Sequence, residues 1–124
     1  MTIMDAIYRL DELKPNSYSQ SEKIKWLSSL DGMIKSNIID THEGGESVVF
    51  SGYDENSDLS MVLLVPAPYD DIYLRWIEAQ IDYSNGEYGK YNNSITAFND
   101  AYAIYQKYYN RTNMPISKGT KFRF

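Results

Sequence analysis

Cysteine is absent from the chain, which excludes a disulfide framework, cysteine-bound zinc and thiol chemistry, and matches the usage of a reducing compartment. Histidine occurs once, as His42. Hydrolase-type catalysis needs a nucleophile beside a base that is usually histidine, and "GGES" at residues 44–47 is not the G-x-S-x-G turn that presents a serine. His42 is therefore expected in a surface or capping role. Long apolar runs are also lacking, since the longest, "MVLLV" at 61–65, falls far short of the ~20 residues of a membrane helix. The leading "MTIMDAIYRLDEL" carries acids and no basic stretch followed by an apolar core, so a secretory signal is not expected. The sequons at Asn92 and Asn110 are accordingly expected to stay unglycosylated.

Phosphate and metal motifs are incomplete. "SKGT" at 117–120 reverses the Gly-Lys order of a phosphate-binding loop and does not stand between strand and helix. Asp54, Asn56 and Asp58 copy the first ligands of a calcium loop, but Leu59 stands where glycine is needed and Val65 where a bidentate glutamate is needed. A turn capped by short polar side chains is expected there. Asp70, Asp71, Glu78 and Asp82 lack the Glu-x-x-His pairs of a di-metal bundle and read as helix-end and surface charges. The expectation is a protein without catalytic residues, cofactor or metal, and not an enzyme.

Excess positive charge is missing as well. A formal net charge of −5 and a pI near 4.7 argue against phosphate-backbone binding by the domain as a whole. The charge is unevenly placed. Residues 40–58 hold Asp40, Glu43, Glu46, Asp54, Glu55 and Asp58 with no Lys or Arg, whereas residues 111–124 hold Arg111, Lys118, Lys121 and Arg123 with no acid.

What the chain does have is tyrosine, 12 against 4 phenylalanines, a side chain that buries a ring and keeps a hydroxyl for water or a partner. The 124 residues fit one domain. Ile3, Ile7 and Leu10 mark a short helix over 3–13 that Pro15 and Asn16 end. A second helix, capped by Ser19 or Ser21, carries Ile24, Leu27, Leu30, Ile34 and Ile38 to about residue 39. From 42 to 66 the period changes, and "ESVVFSGY" and "LSMVLLV" flanking "DENSD" predict a β-hairpin or a long loop. A third helix opens at Tyr69 or Asp70 and carries Tyr73, Trp76, Gln80 and Tyr83 beside Ile72, Ile77 and Ile81, a stripe wide enough for burial on two sides. Asn85 and Gly86 turn the chain, and Tyr88, Tyr91, Ile95, Phe98, Tyr102, Tyr105 and Tyr109 form a three-four seam along a last helix. That seam is expected to pack as core. After Arg111 the period stops, Pro115 blocks a helix, and Phe122 and Phe124 alternate as in a strand.

The fold class read from these patterns is mainly α. It is a small helical bundle of three to four helices over 1–112, with a β-hairpin or long loop insertion at 42–66 and an extended C-terminal arm over 113–124. The arm is the candidate partner-binding element, with Phe122 and Phe124 as apolar anchors and Arg111, Lys118, Lys121 and Arg123 as charge partners.

The segments "PYDDIY", "YSNGEYGKYNNS" and "YYNRTNMP", together with "LKPNSYSQSEKIKWLSSLDG", resemble proteins encoded between the portal and tail genes in prophages of Gram-positive bacteria. The likeness spans Leu13–Gly32 and Leu64–Pro115 and departs at Asn113, where histidine is usual. The resemblance implies a head-tail connector, also called an adaptor or neck protein, of a tailed bacteriophage. It implies a structural virion protein that forms a ring beneath the portal and extends the DNA channel. The implied partners are further copies of itself, the portal protein and tail-side neck proteins, with DNA passing transiently and no membrane. The implied location is the virion, and the host cytoplasm during assembly. The alternative is a phage-encoded interaction module or regulator acting outside the particle.

Overall fold

The computed structural model describes residues 1–116. It is a mainly helical bundle of four helices: α1 (Ile3–Leu13), α2 (Gln20–Asn37), α3 (Ile72–Ser84) and α4 (Tyr88–Thr112). Each start has a local cause. Thr2 caps α1 in a reciprocal box, its hydroxyl accepting from the Asp5 amide while Asp5 accepts from the Thr2 amide. Ser19 caps α2 through the Glu22 amide. Between α3 and α4, Gly86 takes φ of 74°, a left-handed turn open to glycine, and its amide closes the helix end on the Tyr83 carbonyl.

The middle helix of the bundle is α3, which packs on α4, α2 and α1. Its buried residues, among them Ile72, Tyr73, Leu74, Ile77 and Ile81, cover more than one face, as the wide stripe predicts. Helices α1 and α3 run parallel. The Met1 ammonium lies 3.7 Å from Asp70 just before α3, and Lys14 just after α1 lies 2.9 Å from Asp82 near its end. Along α4, Phe98 and Tyr105 are buried and Tyr91, Ile95, Tyr102 and Tyr109 half-buried, so most of the expected seam does pack inward. Tyr83 and Tyr88, expected in the core, are exposed at the corner between α3 and α4.

The β-hairpin expected within 42–66 does not form. Among the described residues there is no strand, only two isolated bridges, Thr2 with Val62 and His42 with Pro115. The segment is the other alternative, a long loop, with a 3-10 turn at Gly45–Ser47 and another just before it at Ile39–Thr41. The two apolar runs do not pair with each other because their amides are taken by the helices. Tyr53 donates to the Ser28 hydroxyl, Leu64 to Asp31 and Val65 to the Tyr73 hydroxyl. "DENSD" satisfies its own backbone, Asp54 accepting from the Asn56 amide and Asp58 from that of Ser60.

Gly45 marks the tightest approach in this loop. A Cβ there would stand 2.4 Å from the Ile39 carbonyl oxygen, a backbone atom that cannot rotate away. Gly45→Ala is expected to lower stability by about 1–3 kcal/mol, the usual cost of overpacking. Urea unfolding of the variant and the parent, at equal slope, checks this.

Candidate assembly surfaces

The candidate arm residues fall in two groups. Arg111 is exposed in the last turn of α4. Lys118, Lys121, Phe122, Arg123 and Phe124 lie outside the described residues. The segment that leads to them is extended but not free at its root. Glu43 donates its amide to the Met114 carbonyl at 2.8 Å, and Ile116 donates to the Thr41 carbonyl at 3.0 Å, so residues 114–116 run antiparallel to 41–43.

His42 secures this root. It is 4% exposed, against the expectation of a surface position. Its Nδ1 donates to the Ile38 carbonyl at the end of α2 at 2.7 Å, and its Nε2 lies 2.8 Å from the Asn110 side-chain amide. Its ring meets Tyr109 edge-on at 4.8 Å. Both ring nitrogens are thus engaged in joining the end of α2 to the end of α4, a capping role in the interior.

Beside this root lies the acidic loop. Asp40, Glu43, Glu46, Asp54, Glu55 and Asp58 are all exposed, and Lys35 pairs with Asp40. No Lys or Arg occurs from residue 36 to residue 74, so the negative field is uninterrupted along that stretch of chain.

Two buried carboxylates escaped the sequence reading. Asp31 is fully buried on α2 and accepts from the Tyr53 and Tyr73 hydroxyls, each at 2.6 Å, and from the Leu64 amide at 3.1 Å. Burial raises its pKa above the usual carboxylate value, with the three hydrogen bonds acting the other way. Burial first, then the Asp31 charge, pushes the Tyr53 and Tyr73 hydroxyls up, so they remain protonated donors. The signal in the sequence was an acid at the core-facing register 27, 31, 34, 38 of α2. Asp82 is 2% exposed, not a surface charge. Its Oδ2 accepts from Ser94 at 2.9 Å, while Oδ1 faces the Lys14 ammonium at 2.9 Å as an ion contact outside hydrogen-bond geometry.

Three shallow cavities of about 370, 350 and 280 Å³ follow one another along the outer side of α3, all bordered by Arg75. They are walled by α1 and α4, with Leu13, Ala97 and Ile104 among the lining residues. Among the described residues no three His, Asp or Glu side chains gather at metal-binding distance, and no helix is long and apolar enough to cross a membrane. No protein-family model, curated protein or solved structure matches the chain. The described surface carries a fastened chain exit, an acidic loop and exposed aromatic and aliphatic side chains.

Proposed function

We propose that this chain is a structural subunit of the head-tail connector of a tailed bacteriophage, forming a ring between portal and tail and extending the DNA channel. The observation that carries the reading is the fastening of residues 114–116 to Thr41–Glu43. It gives the basic, phenylalanine-bearing stretch Lys118–Phe124 a fixed point of departure beside an acidic loop. A head-to-tail ring needs two unlike patches on each subunit, and an acid-rich loop with a base-rich terminal segment supplies a complementary pair. The resemblance of "PYDDIY", "YSNGEYGKYNNS" and "YYNRTNMP" to connector proteins supports the same role. In this reading the work of the molecule is contact, with no catalytic step, and its net negative charge keeps a DNA-conducting channel free of tight phosphate binding.

The test is co-sedimentation with rings of a portal protein from the phage genome that carries this chain. The full chain is expected to pellet with portal rings and the chain ending at Ile116 to remain in the supernatant, with both melting at the same temperature. Equal pelleting of the shortened chain overturns the role of the terminal residues. Failure of the full chain to pellet overturns the connector reading and favours the regulator.

A further inference from the structure

The corner between α3 and α4 holds the chain's one Asn-Gly step, Asn85–Gly86, and both residues are exposed. Asparagine before glycine carries a reaction of its own. With no Cβ on glycine to crowd the approach, the Gly86 nitrogen can attack the side-chain carbon Cγ of Asn85. A bond forms between the Gly86 nitrogen and Cγ, the Cγ–Nδ2 bond breaks, and the amide proton of Gly86 leaves with Nδ2 as ammonia. Water then opens the cyclic imide at one of its two carbonyls, leaving aspartate or isoaspartate at position 85. Water is the only co-reactant.

The folded corner holds the reacting atoms apart. Closing the five-membered ring needs the Gly86 nitrogen eclipsed with Asn85 Cβ about the Cα–C bond. At ψ of −5° it eclipses the Asn85 nitrogen instead, which leaves Cβ about 120° away around a tetrahedral Cα. The Gly86 N–H is also engaged, donating to the Tyr83 carbonyl at 3.0 Å, and the Glu87 amide donates to the Asp82 carbonyl at 2.9 Å. The side chain of Asn85 is fixed as well. Its Oδ1 accepts from the Tyr18 hydroxyl at 2.6 Å, and its Nδ2 lies 3.4 Å from Glu87 Oε1. Tyr18 reaches it from the turn between α1 and α2, where its ring stands edge-on to Trp26 at 5.4 Å.

We propose that Asn85–Gly86 is a self-modification site shut by the fold, where the asparagine deamidates only when the corner opens locally, with the Tyr18 hydroxyl as its guard. The product cannot rebuild the corner as it was. Isoaspartate adds a carbon to the main chain inside the turn that the Tyr83 and Asp82 carbonyls close, and either product sets a carboxylate beside Glu87 at the C-terminal end of α3, where negative charge is unfavourable. An opening that lasts long enough for ring closure is thereby recorded in the covalent structure. Nothing in this chemistry depends on the connector role or on a partner.

The test incubates the full-length protein at mildly alkaline pH and follows deamidation at Asn85 by peptide mapping and mass spectrometry, with Asn85→Gln as the blank. In the folded parent the rate is expected at least about tenfold below that of the same chain in denaturing guanidinium chloride, the suppression given by a locally closed segment. Tyr18→Phe keeps the ring beside Trp26 and should deamidate about threefold faster or more, as loss of one hydrogen bond allows. Gly45→Ala, which weakens the fold at the opposite end of α2 from Tyr18, should deamidate at the parent's rate. Equal rates in the folded and denatured parent, or no reaction at Asn85 in the denatured chain, overturn the site. An unchanged rate in Tyr18→Phe, or an equal rise in Gly45→Ala, overturns the guard and the local opening.

Discussion

Asp31→Ala lowers the melting temperature by on the order of 10 °C or more, with an expected loss of about 3 kcal/mol. The carboxylate is the shared acceptor of Tyr53 from the loop, Tyr73 from α3 and the Leu64 amide. Its removal strands two hydroxyls and an amide in a dry interior, at about 1–3 kcal/mol for each donor left without a partner. Asp31→Asn gives the charge its own test. Because burial raises the folded-state pKa, the folded protein holds this proton more tightly than the unfolded chain. The corresponding stability is full below the unfolded value near 3.8 and is lost as pH rises through the raised folded value. The parent should therefore lose stability relative to Asp31→Asn as pH climbs from just below 4 into the raised range. Paired urea titrations across that window check it. A constant difference between the two proteins would show that Asp31 titrates alike in both states.

Lys14→Met is expected to cost about 3 kcal/mol, and Asp82→Asn clearly less. The asymmetry follows from burial. Asp82 is enclosed at 2% exposure, and its Oδ1 has the Lys14 ammonium as its charge partner and no hydrogen-bond donor. Without Lys14 the buried carboxylate loses the ammonium at Oδ1 and is left with the Ser94 hydroxyl on its other oxygen. Without the Asp82 charge, Lys14, which is partly exposed, turns to solvent, and Ser94 still has the Lys90 and Tyr91 carbonyls. The double variant Lys14→Met with Asp82→Leu should recover most of the loss. A thermodynamic cycle over the four proteins measures the coupling, and equal losses for the two single changes would contradict the asymmetry.

The helices were legible because their signals are local. The three-four spacing of apolar residues, the Ser19 cap and the Asn85–Gly86 turn act over a few residues and placed α1, α2 and α4 within a residue or two. Helix α3 opens at Ile72, later than the expected Tyr69 or Asp70, because the residues from Ala67 to Asp71 form turns. Of the hairpin and the long loop that the composition of 42–66 allows, the loop forms for a non-local reason. "ESVVFSGY" and "LSMVLLV" have strand composition, but their amides are satisfied by Ser28, Asp31 and Tyr73, partners from α2 and α3 that no window around the loop contains. The candidate surfaces were legible in part. The acidic and basic segments could be read from charge alone, whereas the burial of His42 depends on Asn110, sixty-eight residues away. Tyr83 and Tyr88 looked like core because periodicity reports a face of a helix and says nothing of whether a neighbour reaches that far along it.

The pairing of residues 114–116 with 41–43 also sets how the molecule bears mechanical load. Tension applied beyond Ile116 along the line of that pairing strains the Glu43–Met114 and Thr41–Ile116 hydrogen bonds together, in shear, and passes into the end of α2. Tension applied across it peels Ile116 first and then Met114, one bond at a time. The fastening is therefore directional, strong against a pull along its axis and weak against one that lifts it sideways.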